Sequence, residues 1–167
     1  MATPDNGLAA LLYNSCVVNA KVGDKDSVTL REETHYPFDD RINITVETSK
    51  TASFPLYVRI PEWCTGAEVL VNDQLLTHEN KPGTYTRIER KWENKDSVRL
   101  ILPMKIAVKE WKKNKNSVSV NYGPLTFSLK IAENDKQMDS RSSAIGEARW
   151  QPNVDESKWP SFELFPA

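Results

Sequence analysis

The fold that this sequence predicts is all-β, an antiparallel sandwich of the jelly-roll or immunoglobulin-like kind. Apolar and polar residues alternate with a period of two in many short segments, as in Ile42, Ile44 and Val46. Turn-forming residues separate these segments about every eight to twelve positions, the usual spacing in a sandwich. No segment has an apolar pattern typical of a helix longer than two turns. At 167 residues the chain is long enough to bury one core.

The centre of the predicted sandwich is a strand, a corner and a second strand within residues 54–71. Leu56, Val58 and Ile60 fall on one side of the first strand and Tyr57 on the other. A proline follows and cannot donate a ladder hydrogen bond, so the chain must turn before the second strand begins.

The remaining strands are predicted from the same alternation, in chain order. They are Cys16–Val22, Ser27–Glu33, Arg41–Thr48, Thr84–Arg90, Ser97–Leu102, Met104–Trp111, Val118–Tyr122 and Leu125–Ile131. Residues 23–26 read as a hairpin turn, and residues 112–116, charged and without any apolar side chain, read as a linker. Beyond Ala132 the alternation stops and a loop is expected.

The charge balance excludes two classes of partner. Twenty-two basic and twenty-three acidic side chains give a net charge of −1, which provides no overall field for nucleic acid or an anionic membrane. The lysines of residues 105–115 are expected to be solvated side chains along a sheet edge. No apolar window reaches the roughly 18 residues of a membrane span. The final residues stop within an aromatic run, so we expect a piece excised from a longer protein.

Cys16 and Cys64 are expected to be buried free thiols, with a disulfide between them as the open alternative. His35 and His78 do not lie at the short paired spacings of a structural zinc site, so no metal ligand is assigned.

No residue is assigned to catalysis. The chain has two histidines and no Gly-x-Ser-x-Gly elbow, which leaves few bases to activate a nucleophile. Three adjacent acidic pairs are interpreted as solvated loop charges, because neighbours on a strand point to opposite faces and do not converge on one bond. These pairs are Glu32–Glu33, Asp39–Asp40 and Asp155–Glu156.

The five tryptophans could form a sugar-stacking platform or a core. Burying about 200 Å² per ring stabilises by roughly 5 kcal/mol, so a domain of this size rarely leaves many rings exposed. Trp63 and Trp92 are expected to pack at strand ends. Trp111, Trp150 and Trp159 are predicted to mark a surface that contacts another domain or a glycan.

Five segments together resemble a known family. They are GLAALLY at Gly7–Tyr13, YPFDDRINITV at Tyr36–Val46, LYVRIPEWCTGAEVLVN at Leu56–Asn72, WENKDSVRLILPM at Trp92–Met104 and YGPLTFSL at Tyr122–Leu129. In order and spacing they resemble the β-sandwich region of glycoside hydrolase family 127, the β-L-arabinofuranosidase-like family. The resemblance implies two sandwiches, one inserted in the other. Residues 17–111 would form the inserted one, residues 1–16 and 117–131 would be strands of a second, incomplete one, and residues 132–167 a loop-rich end.

The resemblance also implies a function. In the family, catalysis belongs to an (α/α)6 barrel that holds zinc on a cysteine cluster, and none of those motifs is present here. The chain is therefore expected to be a non-catalytic accessory domain, with no cofactor of its own, of a bacterial, periplasmic or secreted glycosidase. Its expected partners are the missing barrel, a second copy of itself or carbohydrate. The alternative function is a carbohydrate-binding module for plant-type glycans.

Overall fold

The structure, a computed structural model, describes residues 1–76 and 80–129 and the backbone of two further strands. The described strands are β1 (Leu8–Ala10), β2 (Cys16–Val22), β3 (Asp26–Thr34), β4 (Arg41–Thr48), β5 (Ala52–Arg59), β6 (Glu68–Val71), β7 (Gln74–Leu75), β8 (Tyr85–Trp92), β9 (Asp96–Ile101), β10 (Ile106–Trp111), β11 (Ser117–Tyr122), β12 (Leu125–Phe127), β13 (Glu133–Gln137) and β14 (Phe162–Pro166). Within the described part of the chain, no helix is long and apolar enough to cross a membrane.

The chain divides into two compact units, Met1–Phe127 and Ser128–Ala167. In the second unit, β13 and β14 pair antiparallel, with Asp135 opposite Leu164. The predicted loop after Ala132 otherwise lies outside the described residues.

The larger sheet of the first unit has six strands in the order β2-β3-β4-β9-β6-β7. Each neighbouring pair is antiparallel, and the centre of the sheet joins β4 to β9 with Ile44 opposite Val98. The turn between β2 and β3 covers residues 23–25 of the predicted 23–26, because Asp26 already pairs with Val22, and Gly23 there has a φ of 51°.

The smaller sheet has three strands in the order β1-β5-β8. β5 and β8 are antiparallel, whereas β1 runs parallel to β5 with Leu8 opposite Leu56. Of residues 1–16, predicted to flank a second, incomplete sandwich or to pack onto the first one, β1 pairs with β5 of the first, and Leu8 is buried in its core.

One apolar core lies between these two sheets, so the predicted all-β sandwich is confirmed. Phe54, Leu56 and Val58 enter it from the small sheet, and Ile44 and Val98 from the large one. On the other face of β5, Tyr57 is half-buried and Arg59 is exposed, whereas Pro55 is buried. The alternation in the sequence is therefore the alternation of core and solvent.

A third sheet follows the sandwich, in the order β10-β11-β12. Residues 112–116, predicted to be a linker, form the turn of the β10–β11 hairpin, with Trp111 opposite Ser117. Lys115 and Asn116 have φ values of 51° and 56°, so the turn forms without glycine. The strands on either side of it thus share one sheet.

Candidate interdomain surface

The two faces of the third sheet differ in chemistry. Directly opposite residues of an antiparallel pair share a face, so Val108 and Val120 lie side by side, as do Val120 and Phe127. The apolar face, as we call it, consists of Ile106, Val108, Val118, Val120, Tyr122, Leu125 and Phe127, with the acidic Glu110 directly opposite Val118.

The apolar face is open to solvent. Ile106 is 75% exposed, Val108 67% and Val118 65%. Scattered apolar side chains are normal on a surface, but a contiguous apolar patch marks a site of interaction. A sheet with one apolar and one polar face usually packs its apolar face against another layer of protein. The apolar face of the third sheet is therefore the candidate interdomain surface.

The opposite face is polar and carries Trp111. The indole Nε1 donates a hydrogen bond of 3.1 Å to Ser119 Oγ, and Lys109 Nζ lies 4.1 Å from the ring centroid. Trp111 is 47% exposed. Of the three tryptophans predicted to mark a contact surface, Trp111 thus lies on the polar face, opposite the apolar one, and its role in contacts stays a prediction; Trp150 and Trp159 lie outside the described residues.

A recess of about 370 Å³ lies at this polar face, beside the corner that follows β5. Trp63, Lys109 and Asn121 line it. Asn121 Oδ1 is buried and has no hydrogen-bond partner. A buried acceptor without a donor is unfavourable, so this oxygen stands out among the polar atoms beside the recess.

The other two described tryptophans pack as predicted. Trp92 is fully buried, and its Nε1 donates a hydrogen bond of 2.9 Å to the Phe54 carbonyl. Trp63 is half-buried against the core at the corner.

The two cysteines differ in their exposure. Both are free thiols, as predicted, and Cys64 is buried, which raises its pKa to about 11 and disfavours the thiolate. The prediction that Cys16 is buried is wrong, because it lies on the edge strand β2 and is exposed. Among residues 1–76 and 80–129, no three histidine, cysteine or acidic side chains converge as a metal site requires, so zinc is assigned to none of them.

One of the acidic pairs is not solvated as predicted. Glu33 is exposed, but Glu32 is 8% exposed, and its burial raises its pKa to about 7. Glu32 follows Val28 and Leu30 at alternate positions of β3, which is the sequence signal that was missed. Asp155 and Glu156 lie outside the described residues.

The chain matches a family model described as β-L-arabinofuranosidase, GH127 middle domain, over residues 7–104. None of the curated proteins matches it. A solved structure described as a glycoside hydrolase is 31% identical over 71% of the chain and 20% of its own length, with a TM-score of 0.65.

Two further solved structures share the fold. A GH127 β-L-arabinofuranosidase from Geobacillus stearothermophilus T6 is 22% identical, with a TM-score of 0.66, over 98% of the chain and 31% of its own length. A GH127 β-arabinofuranosidase is 24% identical, with a TM-score of 0.63, over 78% of the chain and 26% of its own length. The chain therefore spans less than a third of each of these relatives.

Proposed function

Because the chain belongs to glycoside hydrolase family 127 through the family's middle domain, we propose that it is a non-catalytic accessory domain of a β-L-arabinofuranosidase-like hydrolase. In this proposal the parent protein carries the hydrolytic site, its zinc and the (α/α)6 barrel elsewhere. The middle domain supports that barrel and breaks no glycosidic bond itself.

The observation that carries this proposal is the exposed apolar face of the third sheet. The three relatives are three to five times longer than the part that matches, so the parent has ample chain to cover that face. Covering Ile106, Val108 and Val118 would stabilise the assembly at about 25 cal/mol per Å² of apolar surface removed from water. The parent chain is therefore the occupant we assign.

The absence of catalysis is tested on the purified chain with an aryl β-L-arabinofuranoside. We expect no release of arabinose above the buffer control, with or without added zinc. Release that scales with the concentration of the chain would overturn the accessory role.

The docking surface is tested with Val118→Lys, and Ser117→Lys on the polar face is the matched control. In the isolated chain both variants should unfold at nearly the wild-type midpoint, because both sites are exposed. In the full-length parent, Val118→Lys should lower the melting temperature by several degrees and Ser117→Lys should not. Equal effects of the two variants in the parent would contradict docking through this face. If the isolated chain is instead a dimer that Val118→Lys dissociates, the occupant is a second copy.

A carbohydrate-binding module is the second candidate, favoured by the recess that holds Asn121. Its buried Oδ1 lacks a donor, and Trp63 beside it offers a ring for a sugar to contact. Calorimetry with arabinose-containing polysaccharides should then show binding that Asn121→Ala weakens and that Asn114→Ala, in the distant hairpin turn, leaves unchanged. No heat at millimolar sugar would exclude this candidate.

A further inference from the structure

The sandwich is open along one edge, between β1 and β2. The small sheet ends at β1, whereas the large sheet continues to β2, so Cys16 and Val18 remain exposed although they lie on the inward face. A cleft of about 210 Å³ results, lined mostly by apolar side chains such as Ala10, Val18 and Leu30. Leu12, 82% exposed, lies at its rim.

Glu32 is the acidic side chain that lines this cleft. Its Oε1 accepts a hydrogen bond of 2.8 Å from the backbone N–H of Asn14. Within the described part of the chain, its other oxygen, Oε2, has no hydrogen bond and no ion pair, and it is not among the fully buried oxygens. The cleft is thus an apolar slot with one unpaired carboxylate oxygen.

Asp96 is a second buried carboxylate of this protein, and several partners compensate its charge. It accepts hydrogen bonds from Asn72 Nδ2 at 2.7 Å and from the Glu93 N–H at 2.9 Å, and Arg90 Nη2 lies 3.3 Å from it. Glu32 is equally buried but has one neutral donor and no cation. The contrast leaves Glu32 Oε2 open to a cation from elsewhere.

The titratable groups around Glu32 do not supply that cation. The Cys16 thiol lies opposite on β2, and the Tyr13 phenol precedes it; both are neutral or negative. The Met1 ammonium also reaches the cleft but donates to the Ala9 carbonyl at 2.9 Å. On the other side, β4 contributes apolar Ile44.

We propose that this cleft receives one lysine or arginine side chain from another segment of the parent protein, with its stem against Val18 and Leu30 and its charged head on Glu32 Oε2. The cleft is smaller than the roughly 300–1,000 Å³ of a drug-sized ligand site, so it fits a single side chain. Long basic side chains bury their methylenes along apolar surface in this way. The assignment of this side chain to the parent protein rests on the proposed function. The affinity of the cleft for an alkyl cation is independent of it.

The cleft is tested on the intact chain with n-butylammonium, the side chain of lysine cut at Cα, followed by NMR. Saturable shifts at Val18, Leu30 and Glu32 are expected. Because the cation favours the ionised carboxylate, and burial raises its pKa to about 7, affinity should be about tenfold weaker at pH 6 than at pH 8. Neutral 1-butanol should give no such shifts. Equal binding of 1-butanol, or no saturation at either pH, would overturn the proposal.

Three variants separate the charge from the shape of the cleft. Glu32→Gln should abolish binding of n-butylammonium, and the exposed neighbour variant Glu33→Gln should not. Val18→Phe fills the slot and should abolish binding while Glu32 keeps its charge. Binding retained in both Glu32→Gln and Val18→Phe would contradict the site.

The source of the side chain is tested with the full-length parent. There the cleft should be filled, so n-butylammonium should fail to shift Glu32. If it binds the parent as well as the isolated chain, the parent does not supply the side chain. This result is independent of the Val118→Lys experiment, so the failure of one proposal is distinguishable from the failure of the other.

Discussion

At the scale of single residues, Trp92 fixes one end of the β5–β8 pair in the small sheet. Its ring lies 5.7 Å from that of Phe54, its Nε1 bonds the Phe54 carbonyl, and the Arg90 guanidinium lies 5.3 Å from its centroid. One side chain therefore combines apolar burial, a hydrogen bond inside the core and a cation–π contact.

Trp92→Ala should lower the free energy of unfolding by about 3–5 kcal/mol, because it leaves a cavity and an unpaired Phe54 carbonyl. Trp111→Ala is the matched control and should cost less than about 1 kcal/mol, since that ring is half exposed. Urea denaturation followed by circular dichroism avoids the loss of fluorescence in both variants. Similar losses in the two variants would contradict the assigned burial.

Glu32 should make stability depend on pH. Its folded pKa of about 7 lies above the ordinary value of 4.5, so the folded state holds a proton that the unfolded chain releases between these values. Relative to Glu32→Gln, the wild type should be most stable below about pH 4.5 and should lose stability as pH rises through 7. Urea midpoints at pH 5 and pH 8 measure the difference.

The exposed neighbour serves as the control for this pH dependence. Glu33→Gln should follow the wild type at both pH values, because its side chain is solvated in either state. A constant difference between wild type and Glu32→Gln from pH 5 to pH 8 would show that Glu32 titrates normally.

At the scale of elements, the β2–β3 turn is pressed against β5. Gly23 has a positive φ, and a Cβ added to it would lie 2.3 Å from the Ser53 carbonyl oxygen. Gly83 also has a positive φ, of 76°, but a Cβ there would meet nothing within 4 Å. Both glycines therefore have a left-handed backbone conformation, but of the two it is Gly23 that lies close to a neighbouring strand.

Gly83→Ala should cost about 1–2 kcal/mol, the strain of a left-handed residue with a Cβ. Gly23→Ala should cost distinctly more, because the Cβ also displaces the Ser53 carbonyl from β5. Thermal unfolding of both variants checks the ordering. Equal losses would mean that the turn moves freely away from β5.

The strands themselves were predictable, since β4 alternates core and solvent residues along most of its length and β5 does so apart from the buried Pro55. The pairing of β1 with β5 was not predictable, because a strand of three residues has too short a pattern to indicate its partner. The hairpin at 112–116 was missed because its turn uses Lys115 and Asn116 at positive φ, where a glycine would have signalled it.

The candidate surface was only partly predictable. The alternation of Val118, Val120 and Tyr122 predicts an apolar face but not whether anything covers it, since that depends on tertiary packing. Glu32 could have been placed inward from its register with Val28 and Leu30. The lack of a cation beside Glu32 among the described residues could not be predicted, because ion pairs join residues that are distant in sequence.

At the scale of the whole molecule, the described buried apolar side chains lie between Leu8 and Leu102. The third sheet contributes none of them. The folding unit of the core is therefore the sandwich, and the family model ends at nearly the same place, residue 104.

A chain truncated to residues 1–104 should fold with the sandwich intact. Its urea midpoint should lie close to that of the full chain, and its two-dimensional amide spectrum should keep the dispersed signals of β4, β5 and β9. The unaltered chain is the control. A fragment without dispersed signals would mean that the third sheet supports the core after all.

The pairing of β4 with β9 has a consequence for biosynthesis. Residues 41–48 leave the ribosome well before residues 96–101, and at about 5–20 residues per second the delay lasts several seconds. Until then the nascent β2–β3–β4 meander has a bare, apolar edge, the kind of surface to which neighbouring nascent chains adhere. A ribosome-bound chaperone that shields Ile42, Ile44 and Val46 during this interval would raise the yield of this domain.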